Sequence, residues 1–178
     1  IWPALAKKDL IVAPNGASPI SIPQYAPKER FQVGYIGALY SGRGINLILE
    51  MCENLPDVDF NIIGGTDDDI QYWRAQSSPQ NITFYGHVPH SELINYYYRL
   101  DVLLAPYQDG TLTAGGVDST KWMSPIKLFE YLSLGRPIIC SDLPVIREVL
   151  EHNVTALLVD AGDSEMWVNA ILRLQCNR

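Results

Sequence analysis

Three cysteines in 178 residues are too few and too scattered to build a covalent staple or a metal site. Cys52, Cys140 and Cys176 form no CxxC pair, and their odd number argues against a disulfide framework. A reducing, cytoplasmic setting is the expectation that goes with them. Histidine is equally sparse. His87, His90 and His152 show no HxxxH spacing, and no Ser or Cys stands in a nucleophile-elbow context. No apolar run approaches the ~20 residues of a membrane span. Basic residues are in deficit: 13 Lys and Arg against 20 Asp and Glu leave a net charge of -7. That argues against nucleic acid as the main partner, because phosphate backbones call for a Lys/Arg surplus. A single nucleotide, needing only one or two local cations, is still allowed. An initial Met and a signal peptide are also missing. The chain begins Ile1-Trp2-Pro3, which suggests a fragment cut from a longer protein.

What is present reads as a globular domain. Hydrophobic residues make up 47% and charged residues 19%, the composition of a soluble protein, and the length suffices for a full core. Residues 9–13 (DLIVA) form a short strand candidate closed by Pro14-Asn15-Gly16, and residues 17–28, rich in Pro, read as an extended linker. Strands are then expected over 31–36, 58–63, 81–85, 101–105, 137–140 and 155–160. Helices are expected over 45–54, 67–76, 92–99 (with Ser91 as N-cap), 125–134, 143–151 and 164–174. Residues 107–121 have no period and read as a long loop, a feature that is often functional. Strand-then-helix order with near-continuous apolar strands implies a doubly wound, Rossmann-like α/β domain, a parallel sheet of about six strands covered on both faces. The division is residues 1–30 as linker and first strand, and 31–178 as the domain.

In such a sheet the ligand site lies at the carboxyl ends of the strands. Four loops should gather there: 37–44, 64–67, 86–89 and 107–124. The first holds three glycines and Arg43 before a helix, which suits an anion, although its spacing is not GxGxxG. Lys127 and Glu130 stand at (i, i+3) in the first turn of another helix. Such pairs are usually weak surface pairs, but a cation at a helix N-terminus opposes the dipole, and a bound phosphate would remove that conflict. Glu130 suits a ribose diol. Asp109, Asp118 and Lys121 read as solvated loop charges, His87 as a loop histidine at the edge of the cleft, and Tyr96-Tyr97-Tyr98 as packing.

The stretch Ser124-Pro125-Ile126-Lys127-Leu128-Phe129-Glu130-Tyr131, then Gly135-Arg136-Pro137-Ile138 and Ser141-Asp142-Leu143-Pro144-Val145-Ile146-Arg147-Glu148, resembles the donor-binding half of retaining GT-B glycosyltransferases of family 4, the "glycosyl transferases group 1" type. Val12-Ala13-Pro14-Asn15-Gly16, the glycine loop within 34–44, residues 83–88 and residues 156–159 are similar to further segments of that family, in the same order. The resemblance covers nearly the whole chain. It implies a C-terminal domain that binds a nucleotide diphosphate sugar as substrate, with no separate cofactor and no metal. It places Arg43, Lys127, Gly37 and the backbone at Pro125 and Ile126 on the diphosphate, Glu130 on the ribose, and Gly86, His87 and Val88 beside the base. Trp122, Met123 and Ser124 would face the sugar; no catalytic residue is assigned. Two positions depart from the family's pattern: Trp122 falls where its first acidic residue stands, and Ala38 where its first basic loop residue stands.

The parent implied is a hexosyltransferase of polysaccharide biosynthesis acting on a sugar or lipid-linked acceptor. An N-terminal acceptor domain would precede this chain and carry any peripheral contact with the inner face of the membrane. The isolated domain would bind nucleotide and transfer nothing. A nucleotide-sugar epimerase of the same architecture and a non-catalytic binding module remain as alternatives.

Overall fold

Six strands set the frame: β1 (Phe31–Ile36), β2 (Val58–Ile63), β3 (Ile82–Gly86), β4 (Val102–Ala105), β5 (Ile138–Ser141) and β6 (Leu157–Val159). Every pairing is parallel and the order is β3-β2-β1-β4-β5-β6. The computed structural model describes residues 16–17, 28–108, 110 and 126–177. The strand expected over 9–13, residues 18–27 of the linker, Asp109, Asp118, Lys121, Trp122, Met123, Ser124 and Pro125 lie outside the described residues.

Strands β1, β4, β5 and β6 are buried along their whole length, as a sheet covered on both faces requires. Edge strand β3 mixes buried and exposed positions. On one face, α1 (Ile45–Asn54), α2 (Asp67–Gln76) and α5 (Ser164–Gln175) contribute Ile48, Met51, Ile70, Trp167 and Ile171 to a shared core. On the other, α3 (Leu93–Tyr97), α4 (Ile126–Ser133) and the segment 143–150 contribute Leu93, Leu128, Tyr131, Ile146 and Leu150. Each such side chain contributes roughly 1.5–3 kcal/mol through burial.

Local signals explain the helix starts. Thr66 and Asp69 form a reciprocal capping box ahead of α2, whose first turn also holds Asp67 and Asp68 against the positive dipole end. The Asp163 side chain accepts from the Met166 N–H at the start of α5.

Two expected features are corrected. Ser91 does not cap a helix: residues His90–Glu92 form a 3₁₀ turn that leads directly into α3, with no side-chain cap. Residues 143–151 do not form a continuous α-helix. Residues 144–149 are successive turns in which three-residue bonds (Ile146 N to Leu143 O, 2.9 Å; Val149 N to Ile146 O, 2.9 Å) alternate with four-residue bonds (Arg147 N to Leu143 O, 3.1 Å; Leu150 N to Ile146 O, 2.8 Å). The apolar spacing of Leu143, Ile146 and Leu150 reported a buried side, and tight turns bury those three residues as well as a helix would.

Candidate functional site

The strand order reverses direction between β1 and β4, and the crevice outside their carboxyl ends is where an open α/β sheet holds its ligand. Two loops meet there at backbone distance. Gly37 N–H donates to Ile63 O (2.9 Å), and Gly64, at φ 121°, presses on Gly37 so closely that a Cβ would lie 2.1 Å from Gly37 O. Only glycine fits position 64.

A cavity of about 200 Å³ opens at this point, lined by Ile36, Gly37, Arg43, Ala105, Tyr107 and Lys127 among others. The Arg43 guanidinium lies over the rings of Tyr40 (5.4 Å) and Tyr107 (5.8 Å). Its Nε is buried and has no hydrogen-bond partner among the described residues. An unsatisfied buried donor on a fixed cation costs stability, so the Arg43 side chain is held here without the hydrogen bond its Nε could make. Burial pushes the Tyr107 phenol up to about 12, so it stays neutral beside Arg43 and offers its π face to the cation.

Lys127 lines this cavity and also a neighbouring cleft of about 390 Å³ that contains Gly37, Gly64, His87 and Val88. Lys127 Nζ donates to Glu130 Oε2 at 2.8 Å, both side chains being about three-quarters buried or more. Tyr97 Oη donates to the same carboxylate oxygen at 3.3 Å. Burial first, then the Glu130 charge, raise the Tyr97 phenol above its ordinary range, so it acts as a donor here. Glu130 lines a third cleft of about 360 Å³ with Tyr97, Ile126, Ser133 and His90.

The structure thus brings together Gly37, Arg43 and Lys127 in one cavity, and His87 and Val88 in the adjoining cleft with Lys127. Glu130 sits one helical turn from Lys127 and holds it. Gly86 lies behind the cleft wall, where its carbonyl accepts from Gly64 N–H (2.7 Å). Ile126 lines the Glu130 cleft, and its side chain is 56% exposed.

Sequence reasoning missed the tyrosines that organise these groups. Tyr35 Oη donates to Ala38 O (2.6 Å) and pins the glycine loop. Tyr131 Oη accepts from Ile36 N–H (3.2 Å) and lies 3.4 Å from Ile36 O and 3.5 Å from Leu104 O, spanning the ends of β1 and β4. Tyr131 stands directly after Glu130, so adjacency in the helix was the one available signal.

The sequence model of the family described as glycosyl transferases group 1 matches residues 30–177. The amylovoran biosynthesis glycosyltransferase AmsK of Erwinia amylovora is 27% identical over 146 residues, which are 78% of this chain and 34% of AmsK. A phosphatidyl-myo-inositol mannosyltransferase of Mycobacterium leprae is 28% identical over 179 residues, covering 95% of this chain and 45% of the enzyme. The chain therefore spans less than half the length of these relatives. Among solved structures, that of Anabaena HepE in complex with UDP and glucose is similar in fold, with a TM-score of 0.66 at 16% identity over 81% of this chain and 38% of HepE. No helix among the described residues is long and apolar enough to cross a membrane. With a doubly wound sheet and a family match over residues 30–177, the chain belongs to the glycosyl transferases group 1 family.

Proposed function

We propose that this chain is the nucleotide-sugar-binding domain of a retaining glycosyltransferase, C-terminal in its parent. The parent would move a hexosyl group from a nucleotide diphosphate sugar to a sugar or lipid-linked acceptor in polysaccharide biosynthesis. The observation that carries this reading is the Arg43 side chain, which lines a cavity with Gly37 and Lys127 at the switch point of the sheet and whose buried Nε has no partner among the described residues. A diphosphate oxygen satisfies that donor, and a second charge on Lys127 completes the counter-charge.

Glu130 receives the ribose hydroxyls, with Tyr97 fixing one of its oxygens. The base occupies the cleft beside His87 and Val88. As the glycosyl bond breaks, negative charge gathers on the departing diphosphate. Arg43, Lys127 and the N-terminal end of α4 stabilise it there, which lowers the barrier because the charge is greater in the transition state than before it. The nucleotide sugar is the substrate, and no resident cofactor is part of the proposal. The name of the Mycobacterium leprae relative and the UDP and glucose bound by Anabaena HepE support the class of donor. The main acceptor contacts would come from a preceding domain of the parent, so this chain alone binds nucleotide and transfers nothing.

Calorimetric titration of the folded chain with UDP and GDP tests the reading. Binding of at least one is expected, and Glu130→Ala should weaken it by about tenfold or more, since a hydrogen bond to a charged group is lost, with an unchanged circular dichroism spectrum. Equal affinity in variant and wild type removes Glu130 from the ribose. A folded chain that binds neither nucleotide at millimolar concentration ends the nucleotide reading.

A further inference from the structure

A cleft of about 480 Å³, separate from the Arg43 cavity, lies between the glycine loop and α2. Tyr40, Ser41, Asn46, Tyr72 and Trp73 line it, and among the described residues that line it none is a lysine, arginine or histidine. Among the described lining residues the one carboxylate is that of Asp69, whose Oδ2 accepts from Thr66 N–H and Thr66 Oγ1, both at 2.8 Å, in the cap of α2. Among the described residues the cleft offers no cation to hold an anion. It has aromatic surface instead. Tyr72 is 59% exposed and Tyr40 37% exposed, an unusual display for two rings facing one hollow. Trp73 packs its ring edge-on against Tyr72 (centroids 5.1 Å, 81°) and donates its indole N–H to Leu39 O at 2.7 Å, which ties the aromatic wall to the glycine loop. Asn46 is exposed at the rim, where its amide offers both donors and an acceptor.

Aromatic faces beside a neutral amide and hydroxyls match one class of ligand. The C–H bonds of a pyranose ring carry slight positive charge and pack on the negative face of an aromatic quadrupole, while its hydroxyls take the amide and phenol partners. We propose that this cleft is a second saccharide site, which takes an uncharged pyranose unit of the acceptor. The role as acceptor contact rests on the donor reading above; the saccharide site itself does not. Tyr40 links the two places, since it lines this cleft and carries the Arg43 guanidinium over its ring.

The test is saturation-transfer NMR on the chain with methyl α-D-glucopyranoside, methyl α-D-mannopyranoside and methyl α-D-galactopyranoside at millimolar concentration, with and without UDP. Transfer to the ring protons of at least one pyranoside is expected, and it should persist when UDP is added. Tyr72→Ala should weaken pyranoside binding by roughly fivefold and leave UDP affinity unchanged. Asn46→Ala, a change at an exposed position, is the second variant and should weaken it in the same direction. No transfer from the folded chain overturns the proposal. So does loss of transfer on adding UDP, which would put the sugar in the donor cavity, and so does unchanged affinity in both variants. If a pyranoside binds in this manner and UDP does not, the saccharide site stands and the donor reading falls.

Discussion

The hydroxyl of Tyr131 is a single atom on which the geometry of the crevice depends. It takes the Ile36 N–H, the last amide of β1, and can give its one proton to either Ile36 O or Leu104 O. Tyr131 is 1% exposed, so no water replaces what is lost if the oxygen is removed. Tyr131→Phe leaves the shape of the ring and an orphaned buried amide. The expected cost is about 1–3 kcal/mol, read from the midpoint of urea unfolding. Because Ile36 immediately precedes Gly37, UDP affinity should fall as well. A variant as stable as wild type would mean that the Ile36 amide finds another acceptor. By contrast, the Lys127–Glu130 pair is about three-quarters buried, so its mutual attraction is set largely against the desolvation of both charges. Its importance is positional.

At the scale of elements, the start of α1 is the joint that sets the width of the crevice. Gly44 is its N-cap, at φ 76°, and makes no side-chain cap bond. A Cβ there would lie 2.0 Å from Pro106 O, the first residue beyond β4. Gly44→Ala therefore meets both left-handed backbone strain and a backbone collision that no rotamer relieves. The expected destabilisation is at least about 2 kcal/mol, with a lower melting temperature by calorimetry and loss of nucleotide binding. An unchanged melt would show that α1 can back away from β4. The same joint shows what a sequence can and cannot announce. The bounds of β1, α1 and β2 were legible because apolar period and punctuation coincide there, with Gly44 before Ile45 and Pro56 after Asn54, whereas α2 was legible from the three Asp of its first turn. Segment 143–151 misled because period alone reports a buried side, and a string of turns has one too. At the site, Arg43 and Lys127 were readable from glycines and a helix start. The cradle around them was not. Tyr35, Tyr97, Tyr107 and Tyr131 come from four different elements or loops, and only the folded sheet brings their hydroxyls and rings to one place.

At the scale of the whole molecule, the two cores share an unusual cargo of acidic groups held neutral. Burial is the first cause that raises the thiols of Cys52 and Cys140 above their ordinary 9.0, and the phenols of Tyr35, Tyr97, Tyr107 and Tyr131 above their ordinary 10.0. Cys52 and Tyr35 lie on one face of the sheet and the other four on the opposite face, so both layers are affected. Below about pH 8 all six are essentially protonated in the native and unfolded chains alike, and they make stability no more dependent on pH. Above that, the unfolded chain releases protons that the native chain retains. The native state then binds more protons, and stability falls with rising pH until the native values are passed. Each group contributes a slope of up to ~1.4 kcal/mol per pH unit, so several together consume a domain's usual 5–15 kcal/mol within about two units. The net charge of -7 grows more negative over the same range and adds self-repulsion. Urea midpoints measured from about pH 8 to about pH 11 should therefore drop steeply, with the phenolate absorbance of the four buried tyrosines appearing together with unfolding, after that of exposed rings such as Tyr72. Tyr131→Phe, which removes one of the six groups, should lower the starting stability and flatten the slope. Phenolate formation by all ten tyrosines in a chain that stays folded would mean that the four buried hydroxyls are open to solvent, and the tyrosine framework of the crevice would have to be abandoned with them.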